Sequence, residues 1–60
     1  MRAKFIGADG SLGFRHGQWY SITSLESKDG FLLLKEYSGL YCLYSSWGVM
    51  MRNWVFDNNY

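Results

Sequence analysis

A chain of 60 residues makes one domain, 1–60, and a small one, since at about this length only roughly 60% of the unfolded chain's surface is buried on folding. One cysteine, Cys42, and one histidine, His16, exclude an internal disulfide and a closed four-ligand zinc site, which leaves aromatic packing or self-association to supplement the core. The net charge is +1, and the basic residues Arg2, Lys4, Arg15, Lys28, Lys35 and Arg52 are scattered, which speaks against a strongly electrostatic nucleic-acid binder. No window approaches the roughly 18 consecutive apolar residues of a membrane span, and MRAKFIG lacks the apolar core of a signal peptide. A cytoplasmic protein with a reduced thiol and no membrane partner is expected.

Arg2 to Gly7 predicts a first strand, with Ala3 and Phe5 on one face and Lys4 and Ile6 on the other. The next ten residues, ADGSLGFRHG, hold too many φ-permissive positions for a regular element. They predict a long, ordered loop that packs Leu12 and Phe14 onto the rest of the domain. Gln18 to Ser27 reads as a second strand, in which Tyr20 and Ile22 alternate with Trp19, Ser21, Thr23 and Leu25. Asp29-Gly30 is a hairpin signal whose loop holds two residues or three. That choice leaves open whether Tyr20 and Ile22 or Trp19 and Leu25 share a face with Leu34.

Phe31 to Tyr37 is the third strand, and Ser38-Gly39 predicts a two-residue turn into a fourth. That turn sets Tyr37 opposite Leu40, Lys35 opposite Cys42, Leu34 opposite Leu43 and Leu33 opposite Tyr44. Both hairpin faces are then apolar, with Leu32, Leu34, Tyr41 and Leu43 on one and Phe31, Leu33, Leu40, Cys42 and Tyr44 on the other. One face is core and the other needs a cover. Ser45-Ser46 offers an N-cap for a short helical segment over about Trp47 to Asn53, whose stripe of Trp47, Met50, Met51 and Trp54 is the expected cover. Val55 and Phe56 predict a last strand beside the first, and residues 57 to 60 a polar, fraying tail.

This order of strand, long glycine-rich loop, three-stranded meander, short helical turn and final strand resembles an SH3-like barrel over most of the chain. The resemblance implies a mainly β fold, a small five-stranded SH3-like barrel or a strongly bent antiparallel sheet, with one short C-terminal helix or 3-10 turn. Peptide-binding SH3 domains carry an ALYDY-type segment, a tryptophan pair and a groove-closing proline. This chain has none of the three, so polyproline recognition is not implied. FIGADGSLGFRHGQWY near the start, and YSS followed by RNW near the end, are similar to very short phage and prophage proteins of Gram-positive bacteria. That similarity implies a modulator or inhibitor of a host protein, host defence included, acting in the host cytoplasm.

Among candidate site residues, Arg15 and His16 are placed to contact a ligand or phosphate, but His16 has only Asp9 nearby in sequence and lacks the companions of a catalytic base. The loop matches neither GxGxxG nor GxxxxGK[ST], and turn geometry accounts for its glycines. Cys42 reads as an inert core thiol, with Lys35 opposite as the group able to lower its pKa. Trp19, Tyr20, Tyr37, Tyr41, Tyr44, Trp47 and Trp54 exceed what so small a core can hold. Trp19, Tyr37, Tyr41, Trp47 and Arg52 are therefore the candidate partner-binding patch. The expectation is a non-enzymatic protein-binding module with no metal or cofactor, whose partner is a host protein or a second copy. The alternative is a single-stranded nucleic-acid or small-nucleotide binder that stacks bases on aromatics and holds phosphates with Lys and Arg.

Overall fold

The alternation in Arg2–Phe5 (β1) buries Ala3 and Phe5 on the same side, as a strand with one wet face requires. The computed structural model describes residues 1–57, so the expected tail lies, apart from Asp57, outside the described residues. After β1 come a 3-10 turn (Ser11–Gly13), β2 (Trp19–Lys28), β3 (Phe31–Glu36), β4 (Tyr41–Tyr44), α1 (Trp47–Met51) and β5 (Trp54–Asp57). The five strands are antiparallel and form one open sheet in the order β4-β3-β2-β1-β5. The domain is mainly β, and β5 pairs with β1 as the apolar Val55-Phe56 pair suggests.

Two turns fix the registers of the meander. Asp29 and Gly30 both take positive φ, 53° and 83°, and Lys28 pairs with Phe31, so the β2–β3 loop holds two residues. The register then shifts between Ile22 and Ser24, a bulge at Thr23 whose hydroxyl donates to the Lys35 carbonyl. Because one extra residue reverses the alternation, Tyr20 and Ile22 before the bulge and Leu25 after it all pack on the inner face. Neither of the two alternatives read from the sequence holds alone.

The β3–β4 turn differs from the expected one. Leu34 pairs with Cys42 and Leu33 with Leu43, one residue away from the predicted register. The loop is Tyr37-Ser38-Gly39, closed by Glu36 N–H to the Leu40 carbonyl at 2.8 Å and Gly39 N–H to the Glu36 carbonyl at 3.0 Å, with Gly39 at φ 107°. The buried Glu36 carboxylate accepts from both the backbone N–H and the hydroxyl of Ser38, which stabilises the three-residue loop. The faces are reassigned accordingly. Leu32, Leu34, Cys42 and Tyr44 point into the core, and Phe31, Leu33, Tyr41 and Leu43 point outward.

The core on the inner face is built around Trp54, whose indole meets the rings of Phe14 at 4.9 Å, Phe5 at 5.1 Å and Tyr20 at 5.9 Å, all edge-on. Its Nε1–H donates to the Tyr44 hydroxyl at 2.8 Å, linking the two edge strands β5 and β4 through side chains. Ser46 caps α1 by accepting from Val49 N–H at 3.2 Å. Only Met50 of the helix is buried; Trp47 and Met51 are exposed, so the predicted stripe narrows to Met50 and Trp54. A five-residue helix presents too little length for a wider stripe. It packs with the core cluster and does not cover the outer face, contrary to expectation.

The loop from Gly7 to Gln18 is ordered by its own bonds. Phe14 is fully buried, whereas Leu12, at φ 55° and 58% exposed, faces outward and not onto the domain. Gly7 is needed for close approach and not for a turn. A Cβ there would meet the Asn53 side-chain oxygen and lie 2.6 Å from the Phe5 ring, and that ring is held between Phe14 and Trp54. Gly7→Ala is expected to cost about 1–3 kcal/mol by overpacking, read as a lower urea midpoint with an unchanged slope. Wild-type stability in this variant would contradict the packing.

Candidate functional site

The pleat that sends Leu32 and Leu34 inward sends Phe31, Leu33 and Lys35 to the other side of β3, beside Tyr41 and Leu43 of β4. These side chains, with Lys28 and Asp29 at the β2–β3 turn, line a groove of about 470 Å³. Phe31 is 49% exposed, Tyr41 62% and Leu43 58%. No described element lies over them. Along one side Lys35 Nζ and Glu26 Oε2 form an ion pair at 3.2 Å, both about half exposed. Such a pair contributes at most about 1 kcal/mol, so it dresses the rim without locking it.

The five predicted patch residues do not come together on this groove. Tyr41 lines it. Trp19 is on the outer face beyond the bulge, opposite Lys4, with Arg2 Cζ 5.1 Å and Lys4 Nζ 5.7 Å from its ring centroid. Its exposed ring is thus already engaged by two of the chain's own cations. Tyr37 stands exposed in the hairpin loop, Trp47 in the first turn of α1, and Arg52 just past its end. Phe31, Leu33 and Leu43 are the groove residues that sequence reading missed as a site. The signal for them was the hairpin's second apolar face.

Arg15 and His16 serve the loop. Arg15 N–H donates to the Tyr20 hydroxyl at 2.8 Å, and His16 N–H donates to Asp9 Oδ1 at 3.0 Å. The His16 ring lies with Nδ1 3.0 Å from the Gly7 carbonyl, so Nδ1 carries the proton and donates. Arg15 Nη1 stands 3.9 Å from Asp9 Oδ2 across open solvent. Among the described residues no three His, Cys, Asp or Glu side chains come together to hold a metal ion, and no helix is long and apolar enough to cross a membrane.

Cys42 is buried and pairs with Leu34, not Lys35. Burial pushes its thiol pKa up from 9.0, only partly opposed by hydrogen bonding from Tyr44 and Trp54. Burial, reinforced by Cys42, likewise pushes the Tyr44 phenol well above 10. Burial thus favours the protonated form of both groups at neutral pH. No protein family, curated protein or solved structure matches this chain.

Proposed function

We propose that the protein is a non-catalytic protein-binding module that docks the outer face of its β3–β4 hairpin on a host protein. The observation that carries this reading is the uncovered groove of Phe31, Leu33, Tyr41 and Leu43. Aromatic and aliphatic side chains grouped on one face, rimmed by charges, have the composition of a protein-binding surface. The strand order β4-β3-β2-β1-β5 and the Trp54–Tyr44 bond between the edge strands support an SH3-like barrel as the scaffold. The similarity to short phage and prophage proteins supports a Gram-positive host as the source of the partner and modulation or inhibition, host defence included, as the outcome in its cytoplasm.

The test is a photo-crosslinking residue at position 41, expressed in such a host. One discrete adduct with a host protein, distinct in mass from two joined 7.0 kDa copies, is expected, and it should weaken at least tenfold when Leu43→Lys is added, a loss of about 1.4 kcal/mol. Adducts that are absent, or indifferent to Leu43→Lys, would sink the reading.

A second reading rests on Trp19, whose position beside Arg2 and Lys4 resembles an aromatic and cationic nucleic-acid contact. Two of the other cations face carboxylates, Arg15 beside Asp9 and Lys35 paired with Glu26. Gel shifts with single-stranded oligonucleotides across a salt series separate the readings. Phosphate contacts require binding that falls steeply with salt.

A further inference from the structure

We infer that the same outer face binds a second copy of this chain, forming a two-fold dimer in which the β3–β4 faces pack against each other. The inference rests on reading that face as a docking surface, and it adds a second occupant that a host protein would displace.

The rim narrows the occupants to surfaces that are not strongly charged. Lys28 and Lys35 stand against Glu26 and Asp29, so the border of the face is neutral and carries both signs. A polyanion or a strongly charged protein surface finds no net attraction there. A second copy related by a two-fold axis brings the same mixed border and the same apolar centre, the self-complementarity that an isologous interface needs.

The area is of the right order. At the exposures of Phe31, Tyr41 and Leu43, side chains of this size leave on the order of 300 Å² of largely apolar surface open per copy, at the lower end of the biggest patches on typical monomers. With half-exposed rim side chains the buried area reaches roughly 600 Å² per copy, just above the ~1,000 Å² total that marks a specific contact. A dimer this small is weak and concentration-dependent, with a dissociation constant on the order of micromolar. Two twisted sheet faces stack about 10 Å apart with interdigitating side chains, and Tyr41 and Leu43 are exposed on the face that would do so. A 60-residue chain with no disulfide and a small core also gains stability from such an association, by mass action.

Sedimentation across about 1 µM to 1 mM wild-type protein tests this. A reversible shift from one to two 7.0 kDa chains is expected. Leu43→Lys, on the face, should raise the dissociation constant at least 100-fold. Val55→Lys, an equally outward position on β5, should leave it unchanged, and circular dichroism confirms that both variants fold. The apolar contact should also hold or tighten as salt rises. Strict monomers throughout, a dimer indifferent to Leu43→Lys, one disrupted by Val55→Lys, or one lost with added salt would each overturn the inference. Monomers that still crosslink to a host protein through position 41 would remove the dimer and leave the docking reading standing. Dimers that capture no host protein would do the reverse.

Discussion

Trp54→Ala is expected to remove between roughly a third and all of the protein's stability, about 3–5 kcal/mol. The side chain is almost fully buried and touches the rings of Phe5, Phe14 and Tyr20, so its removal takes away the centre of the core. Truncation of a buried Trp costs about 3–5 kcal/mol, and a domain of this length has roughly 3–9 kcal/mol to lose. The Tyr44 hydroxyl also loses its donor, and with it the side-chain link between β4 and β5. Trp54→Phe keeps a ring but not the N–H, and is expected to fall between wild type and Trp54→Ala. Trp47→Ala, at an exposed helix position, should stay within about 0.5 kcal/mol of wild type. Near-ultraviolet circular dichroism and urea titration read all three. A Trp54→Ala protein with a native urea midpoint would mean that the core is not organised around this ring.

The contrast between the two tryptophans shows where the sequence is legible and where it is not. The helical spacing of Trp47, Met50, Met51 and Trp54 is real, but spacing cannot tell a stripe that reaches the core from one that runs past the end of a five-residue helix. Asp29-Gly30 is legible as a hairpin turn because the dipeptide itself accepts positive φ at both positions, but the two-residue length of its loop is not. Ser38-Gly39 looked like the same signal and was not. Its loop length is set by the Glu36 carboxylate bonding to Ser38, a contact that no hydrophobic pattern encodes. That single residue of register exchanged the faces of Tyr41 and Leu43 relative to Leu32 and Leu34. The second apolar face was therefore legible as a fact, while its membership was not. The bulge at Thr23 hid in the same way, since an irregular step within a strand leaves Tyr20, Ile22 and Leu25 out of period although all three pack inward. Tyr41 alone of the predicted patch reaches the groove, because composition marks which residues are exposed while contiguity depends on register.

The buried cluster of Cys42, Tyr44 and Trp54 gives the fold a steep alkaline limit. In the unfolded chain the thiol and phenol release their protons at their ordinary pKa values of 9.0 and 10.0. In the folded protein, burial chiefly holds both protons to higher pH. Above pH 9 the unfolded state therefore binds fewer protons than the folded state, and stability falls as pH rises. The stabilisation is fully present below pH 9 and is lost at about 1.4 kcal/mol per pH unit for each group that only the folded state keeps protonated. Urea midpoints measured from pH 7 to 11 should be flat at first and then drop steeply above pH 10. Tyr44→Phe should lower the plateau by about 1–3 kcal/mol, since the Trp54 Nε1–H loses its acceptor, yet make the fall shallower. Cys42→Ala should remove the part that begins near pH 9, at a small packing cost. An alkaline fall that is unchanged in both variants would place the titrating groups elsewhere, and a flat wild-type profile to pH 11 would mean that the cluster admits water and loses its protons folded.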